Sequence, residues 1–103
     1  MNQNIKIAII ILNYNSWKES IQEADLCHKL LGIEYKDIII IDNASSNESY
    51  KMLSRVQKDK KFILLLSDSN QGYATGNNIG MKYAFEHNYK FGWILNNDLK
   101  LRT

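Results

Sequence analysis

Two of the four apolar runs in this chain, residues 38–41 and 62–66, are continuous and do not alternate. A strand with one wet face alternates, because successive side chains point to opposite sides of the sheet. An unbroken aliphatic run belongs to a strand covered on both faces, as in a parallel sheet between helices. Runs at residues 5–12, 37–41, 62–66 and 91–95 predict four strands.

Helical signals fill the gaps. Ser16 with Glu19 predicts a capping box that opens a helix with Trp17, Ile21, Ala24, Cys27 and Leu31 on one face. Gly32 supplies its stop. Ser45 with Glu48 repeats the device ahead of Tyr50, Leu53 and Val56. A third helix is predicted from about 77 to 87, with Ile79, Tyr83 and Phe85 inward and Asn88 as left-handed cap. The order βαβαβαβ implies a parallel sheet with right-handed crossovers, an α/β three-layer sandwich.

At 103 residues the chain is a single domain, residues 1–103, with the 45% hydrophobic and 23% charged content of a folded globular one. A formal charge of +2 argues against nucleic-acid binding, and the basic run at residues 58–61 reads as a solvated helix end. Cys27 has no partner for an internal disulfide, which places the chain in a reducing, cytoplasmic setting. On the apolar face of a helix it is a structural thiol and not a nucleophile. The longest apolar stretch, residues 7–12, is too short to cross a membrane.

Ligands of open parallel sheets bind beyond the carboxyl ends of the strands. Here those ends read Asn13-Tyr14-Asn15, Asp42-Asn43-Ala44-Ser45, Ser67-Asp68-Ser69-Asn70-Gln71-Gly72 and Asn96-Asn97-Asp98. Caps and turns account for Ser16, Ser45 and Ser46. They account less well for Tyr14, and for an acidic residue at the tips of two strands. Asp98 between strand end and amides suits a hard divalent cation, since Mg²⁺ is usually bound through one or two carboxylates plus substrate phosphates. Residues 70–80 form the longest loop, with Gly72, Gly76 and Gly80 at four-residue intervals. No Gly-Lys-Ser/Thr follows, so it is not a P-loop, and its glycine spacing is not the dinucleotide fingerprint. Gly80 reads as a close-packing position. His28 and His87 read as surface residues, and no nucleophile constellation or zinc site can be assembled.

Taken together, Ile9-Ile10-Ile11-Leu12-Asn13-Tyr14-Asn15, Ile40-Ile41-Asp42-Asn43-Ala44-Ser45, the 70–80 loop and Leu95-Asn96-Asn97-Asp98 resemble the nucleotide-sugar-binding half of a family 2 glycosyltransferase. The resemblance is nearest to the rhamnosyltransferase-like branch. It implies a Rossmann-like GT-A half that binds a UDP- or dTDP-sugar with Mg²⁺ or Mn²⁺ and serves an inverting transfer to a glycan or lipid-linked acceptor. Tyr14 is then placed to pack on the base and Asp42 to accept from the pyrimidine imide. Asn13, Asn15, Asn70, Gly72, Asn78 and Asn96 line the nucleotide sugar, and Asp98 is the metal ligand. Two positions depart from the family pattern: Asn96 stands where the first aspartate of an Asp-x-Asp metal motif is expected, and Asn77 where many relatives carry an arginine. The catalytic base and acceptor site are expected beyond residue 103, as is any membrane attachment, so this chain is expected to bind donor without transferring sugar. The alternative reading is a flavodoxin-like or receiver-type regulatory domain. It lacks the acidic pair that a receiver places after the first strand, where this chain has Asn13-Tyr14-Asn15. A nucleotidyltransferase would show a Gly-rich, Arg-containing loop at the same point, and none is present.

Overall fold

The structure, a computed structural model, describes residues 6–69 and 72–96. Strands β1 (Ile7–Asn13), β2 (Ile38–Asp42), β3 (Ile63–Leu66) and β4 (Phe91–Asn96) alternate with helices α1 (Trp17–Leu31), α2 (Ser49–Lys60) and α3 (Tyr73–Glu86). A turn of 3₁₀ helix, Tyr35–Asp37, leads into β2. All three strand pairings are parallel and the strand order is β3-β2-β1-β4. This is the α/β sandwich that the order of elements predicts.

The two-sided burial of the central strands follows from their period of two. Ile9 and Ile11 of β1 and Ile38 and Ile40 of β2 pack with Ala24, Cys27, Leu53 and Phe62 on the α1 and α2 side. Ala8, Ile10, Leu12, Ile39 and Ile41 pack with Ala84 and Tyr89 on the α3 side. Every residue of β2 is buried. β3 is not, although its apolar run is as continuous. Ile63, Leu64 and Leu65 are half-buried and Leu66 is exposed, because β3 has a neighbour on one side only. Phe91, Trp93 and Ile94 of β4 are likewise exposed among the described residues.

Both expected capping boxes are absent. Ser16 precedes α1 but makes no side-chain cap bond to it. α2 begins at Ser49, three residues later than the Ser45–Glu48 pattern predicts, and Asn47 Oδ1 accepts from the Ser49 backbone N–H at 2.8 Å. Ser45 is diverted to Asp42, three residues earlier, so a competing local bond displaces the cap. α3 begins at Tyr73, not near residue 77, so much of the expected 70–80 loop is helix. Leu31, Tyr50 and Phe85, expected inward, are exposed at the outer margins of their helices. Lys60, expected in a solvated run, instead pairs with Asp25 of α1 at 2.6 Å. His28 and His87 are exposed, and Gly32 and Asn88 adopt left-handed conformations at helix ends as expected.

Cys27 is fully buried. Burial and then the nearby Glu23 carboxylate push its thiol from 9.0 up to about 11. A group whose pKa is raised by folding stabilises fully below its unfolded value, and the contribution is lost as pH rises through the folded one. Stability is therefore expected to fall between pH 9 and 11. The urea midpoint followed across that range checks this, and Cys27→Ala should flatten part of the decline. Tyr35 and Tyr89, held above the ordinary phenol value by burial and by the Asp25 and Asp37 carboxylates, and Lys60, raised by its hydrogen bond to Asp25, add to the decline at the alkaline end.

Candidate functional site

The carboxyl ends of β1 and β2 finish level, with Asn13 opposite Asp42. The backbone extends the ladders one step further: Asn43 N–H donates to Asn13 O at 2.8 Å and Ser67 N–H to Asp42 O at 2.9 Å. Both side chains point into protein, Asn13 at 0% and Asp42 at 1% exposure. A buried carboxylate must be satisfied by donors. Asp42 Oδ1 accepts from Asn13 Nδ2 at 2.8 Å and from Ser45 Oγ at 2.6 Å, and Oδ2 accepts from the Ser45 N–H at 3.1 Å. An ionised carboxylate offers roughly four acceptor positions, so these bonds leave capacity for a further donor at Oδ2. On its other side the Asn13 amide oxygen accepts from Ser20 Oγ of α1 at 2.7 Å. The amide thus ties α1 to the loop after β2.

A second set of bonds joins the two loops at the surface. Asn15 adopts a left-handed conformation (φ 55°), as does Ala44 in the facing loop. Such residues carry a cost of roughly 1–2 kcal/mol each when they are not glycine. The offset at Asn15 is visible. Its N–H donates to Ser45 Oγ at 2.9 Å, and its side-chain oxygen accepts from the Ser46 and Asn47 N–H groups at 2.9 and 3.2 Å. Its Nδ2 donates to Ser46 Oγ at 3.1 Å, and its carbonyl accepts from Asn47 Nδ2 at 3.2 Å. Between buried Asn13 and tethered Asn15 stands Tyr14, 43% exposed at the carboxyl edge. An amphipathic ring held on a fixed backbone beside a buried carboxylate can stack on a flat, hydrogen-bonding ligand.

α3 reaches the same edge. A Cβ on Gly76 would strike the Leu12 side chain, and one on Gly80 would lie 2.7 Å from Ile10 and 2.8 Å from Ile41. The helix therefore runs back along β1 from its carboxyl end. Gly72 (φ 94°), immediately before the helix, opens at that end. β4 arrives there too, with Asn96 opposite Leu12. Asn78 is exposed. It stands about 200° around the helix from the glycine stripe that meets the sheet, so it does not join the Asn13–Asp42 network. Asn70 and Asp98 lie outside the described residues. Among the described residues no group of three His, Cys, Asp or Glu side chains could hold a metal. No described helix is long and apolar enough to cross a membrane.

Asn13, Tyr14, Asn15 and Asp42 are thus brought together, with Gly72 and the end of β4 at the same edge. Ser45 and Ser20 complete the arrangement. Sequence reading assigned Ser45 to capping and gave Ser20 no role. The Asp42-x-x-Ser45 spacing is the available signal for the former, since short polar side chains bond backbone and side chains about three residues away. Ser20 carries none, because its contact to Asn13 depends on how α1 docks.

Comparison with known proteins agrees with this architecture. The family model described as glycosyl transferase family 2 matches residues 8–101. The low-salt glycan biosynthesis hexosyltransferase of Haloferax volcanii is 33% identical over 96 residues, 92% of this chain and 28% of that protein. The chain therefore spans little more than a quarter of that relative's length.

Proposed function

The chain belongs to glycosyl transferase family 2, and from that premise we propose that it is the donor-binding part of an inverting enzyme using a UDP- or dTDP-sugar. The observation that carries this reading is the buried Asn13–Asp42 pair at the tips of adjacent central strands, with Tyr14 exposed beside it. Tyr14 packs on the pyrimidine. The remaining acceptor position of Asp42 takes the imide N–H, which gives base selectivity because a base lacking that donor leaves a buried acceptor unpaired. Asn13 and Asn15 hold these two groups in place.

Gly72 and Asn70 border the diphosphate and Asn96 the ribose; with no arginine at Asn77, backbone groups and the neutral Asn78 amide compensate for the missing cation only as hydrogen-bond partners. Asp98, two residues past the end of β4, is the ligand for Mg²⁺ or Mn²⁺. When bound, the cation neutralises charge on the departing nucleoside diphosphate. The acceptor is a glycan or lipid-linked hydroxyl, deprotonated by a base that sequence beyond this fold half supplies. The relative's role as a hexosyltransferase of glycan biosynthesis supports that class of acceptor.

Titration of the chain with UDP and dTDP, with and without Mn²⁺, tests the reading through amide NMR shifts. Shifts at Tyr14 and Asn15 that deepen with Mn²⁺, and an Mn²⁺ effect abolished by Asp98→Ala, are expected. Shifts elsewhere, or binding indifferent to Asp98→Ala, would refute the site assignment.

A further inference from the structure

We propose that Ser45 is a positioning residue for base recognition, setting Asp42 and Tyr14 together without touching the ligand. The inference rests on the donor reading above and adds a residue which that reading does not use. A serine hydroxyl has one donor and two acceptor positions, and all three of Ser45 are engaged. It donates to Asp42 Oδ1 at 2.6 Å and accepts from the Asn15 N–H at 2.9 Å and from Asn13 Nδ2 at 3.3 Å. Its own N–H holds the second Asp42 oxygen at 3.1 Å. A hydroxyl so occupied has nothing left for a ligand and acts through its neighbours.

Those neighbours are the two groups assigned to the base. One bond fixes the rotation of the Asp42 carboxylate, and so the direction of its free acceptor position. Another anchors the left-handed Asn15 (φ 55°) next to Tyr14, and so the angle at which the ring is presented. Ser45 belongs to the β2–α2 loop while Asn13 and Asn15 end β1, so the two halves of the base contact share a single oxygen. The distance from acceptor to ring is set there. Removing the hydroxyl frees both halves together, and the loss should fall on selectivity for the base more than on contacts to phosphate.

The test compares the unaltered chain with Ser45→Ala, Ser45→Cys and Ser45→Thr. UDP, ADP and inorganic pyrophosphate are titrated in Mn²⁺, and amide exchange at Asn15 is measured without ligand. Losing a hydrogen-bond partner of this kind corresponds to about a tenfold change. Ser45→Ala should weaken UDP by about that factor, bring the UDP and ADP affinities toward equality, leave pyrophosphate within about twofold, and speed Asn15 exchange. Ser45→Thr, which keeps the hydroxyl, should restore selectivity. Ser45→Cys, of similar size with a weak donor, should fall between them and carries the test if the alanine variant does not fold. An unchanged UDP-to-ADP ratio in Ser45→Ala and Ser45→Cys, beside normal binding by the unaltered chain, overturns the Ser45 inference alone. Failure of the unaltered chain to bind UDP overturns the donor reading, and the recognition role of Ser45 with it. Equal weakening of UDP and pyrophosphate shows general loosening of the loops and also overturns the proposal.

Discussion

Asp42→Ala is expected to lower the unfolding free energy by about 3 kcal/mol and to abolish measurable UDP binding. The stability figure follows from what the carboxylate leaves behind. Asn13 Nδ2, Ser45 Oγ and the Ser45 N–H all lose their acceptor. Each buried donor left unsatisfied costs roughly 1–3 kcal/mol, and the three do not count equally. Asn13 is completely buried and its Nδ2 keeps only the 3.3 Å contact to Ser45, whereas half-buried Ser45 can recruit water. A total at the lower end of the summed range results. Asp42→Asn separates shape from charge. Its amide can present an oxygen to Asn13 and the Ser45 hydroxyl, but its nitrogen then faces the Ser45 N–H, donor against donor, so about half the loss is expected. Urea melts with an unchanged denaturant slope would assign the change to stability and not to a different unfolded state. A midpoint for Asp42→Ala equal to that of the unaltered chain would show that the network does not hold the loops.

How much of this could be read from the sequence depended on which interactions are local. The period-two identity of the strands is written in residues 7–12 and 38–41, and the structure places odd and even members on opposite faces as that period requires. The carboxyl ends were legible for the same reason, since strand direction follows from βαβ connection. Helix starts were not. Ser16 and Ser45 carry the sequence pattern of caps, yet Asn13 and Asp42, each three residues earlier, take the same hydroxyls, a local alternative that the cap pattern does not distinguish, and the Asn13–Ser45 contact then joins the two loops across the sequence. Burial of β3 was over-read because a continuous apolar run reports composition, while burial depends on the number of neighbouring strands. The glycines of residues 70–80 predict a loop. In the structure Gly76 and Gly80 are helical and serve the contact with β1, so the glycines record packing and not irregular backbone.

That contact governs the second large effect. Gly80→Val is expected to cost about 3 kcal/mol and to weaken UDP binding, although residue 80 is far along α3 from the site. A Cβ alone would lie 2.7 Å from Ile10 Cγ2 and 2.8 Å from Ile41 Cδ1, in a core where both isoleucines are fully buried. Adding methyl groups to such a place costs typically 1–3 kcal/mol, and valine adds two beyond the Cβ. The Ile41 terminal methyl can turn aside, but relief at Ile10, whose branch is fixed to its Cβ, calls for lifting α3, which carries Gly72 at its start away from the carboxyl edge. Gly80→Ala should cost less, about 1 kcal/mol, because replacing glycine within a helix returns roughly 1 kcal/mol of propensity against the clash. The two isoleucines are not equivalent in the remedy. Ile10 meets the new atom with a branch fixed to its own Cβ, whereas Ile41 meets it with a terminal methyl that Ile41→Val removes. Alone, Ile41→Val should cost about 1 kcal/mol as a cavity. Combined with Gly80→Ala the two changes fill the same space, so the double variant should be more stable than the sum by about 1 kcal/mol. Additive losses would mean that α3 already stands clear of β2, and the route from this helix to the donor edge would then be lost.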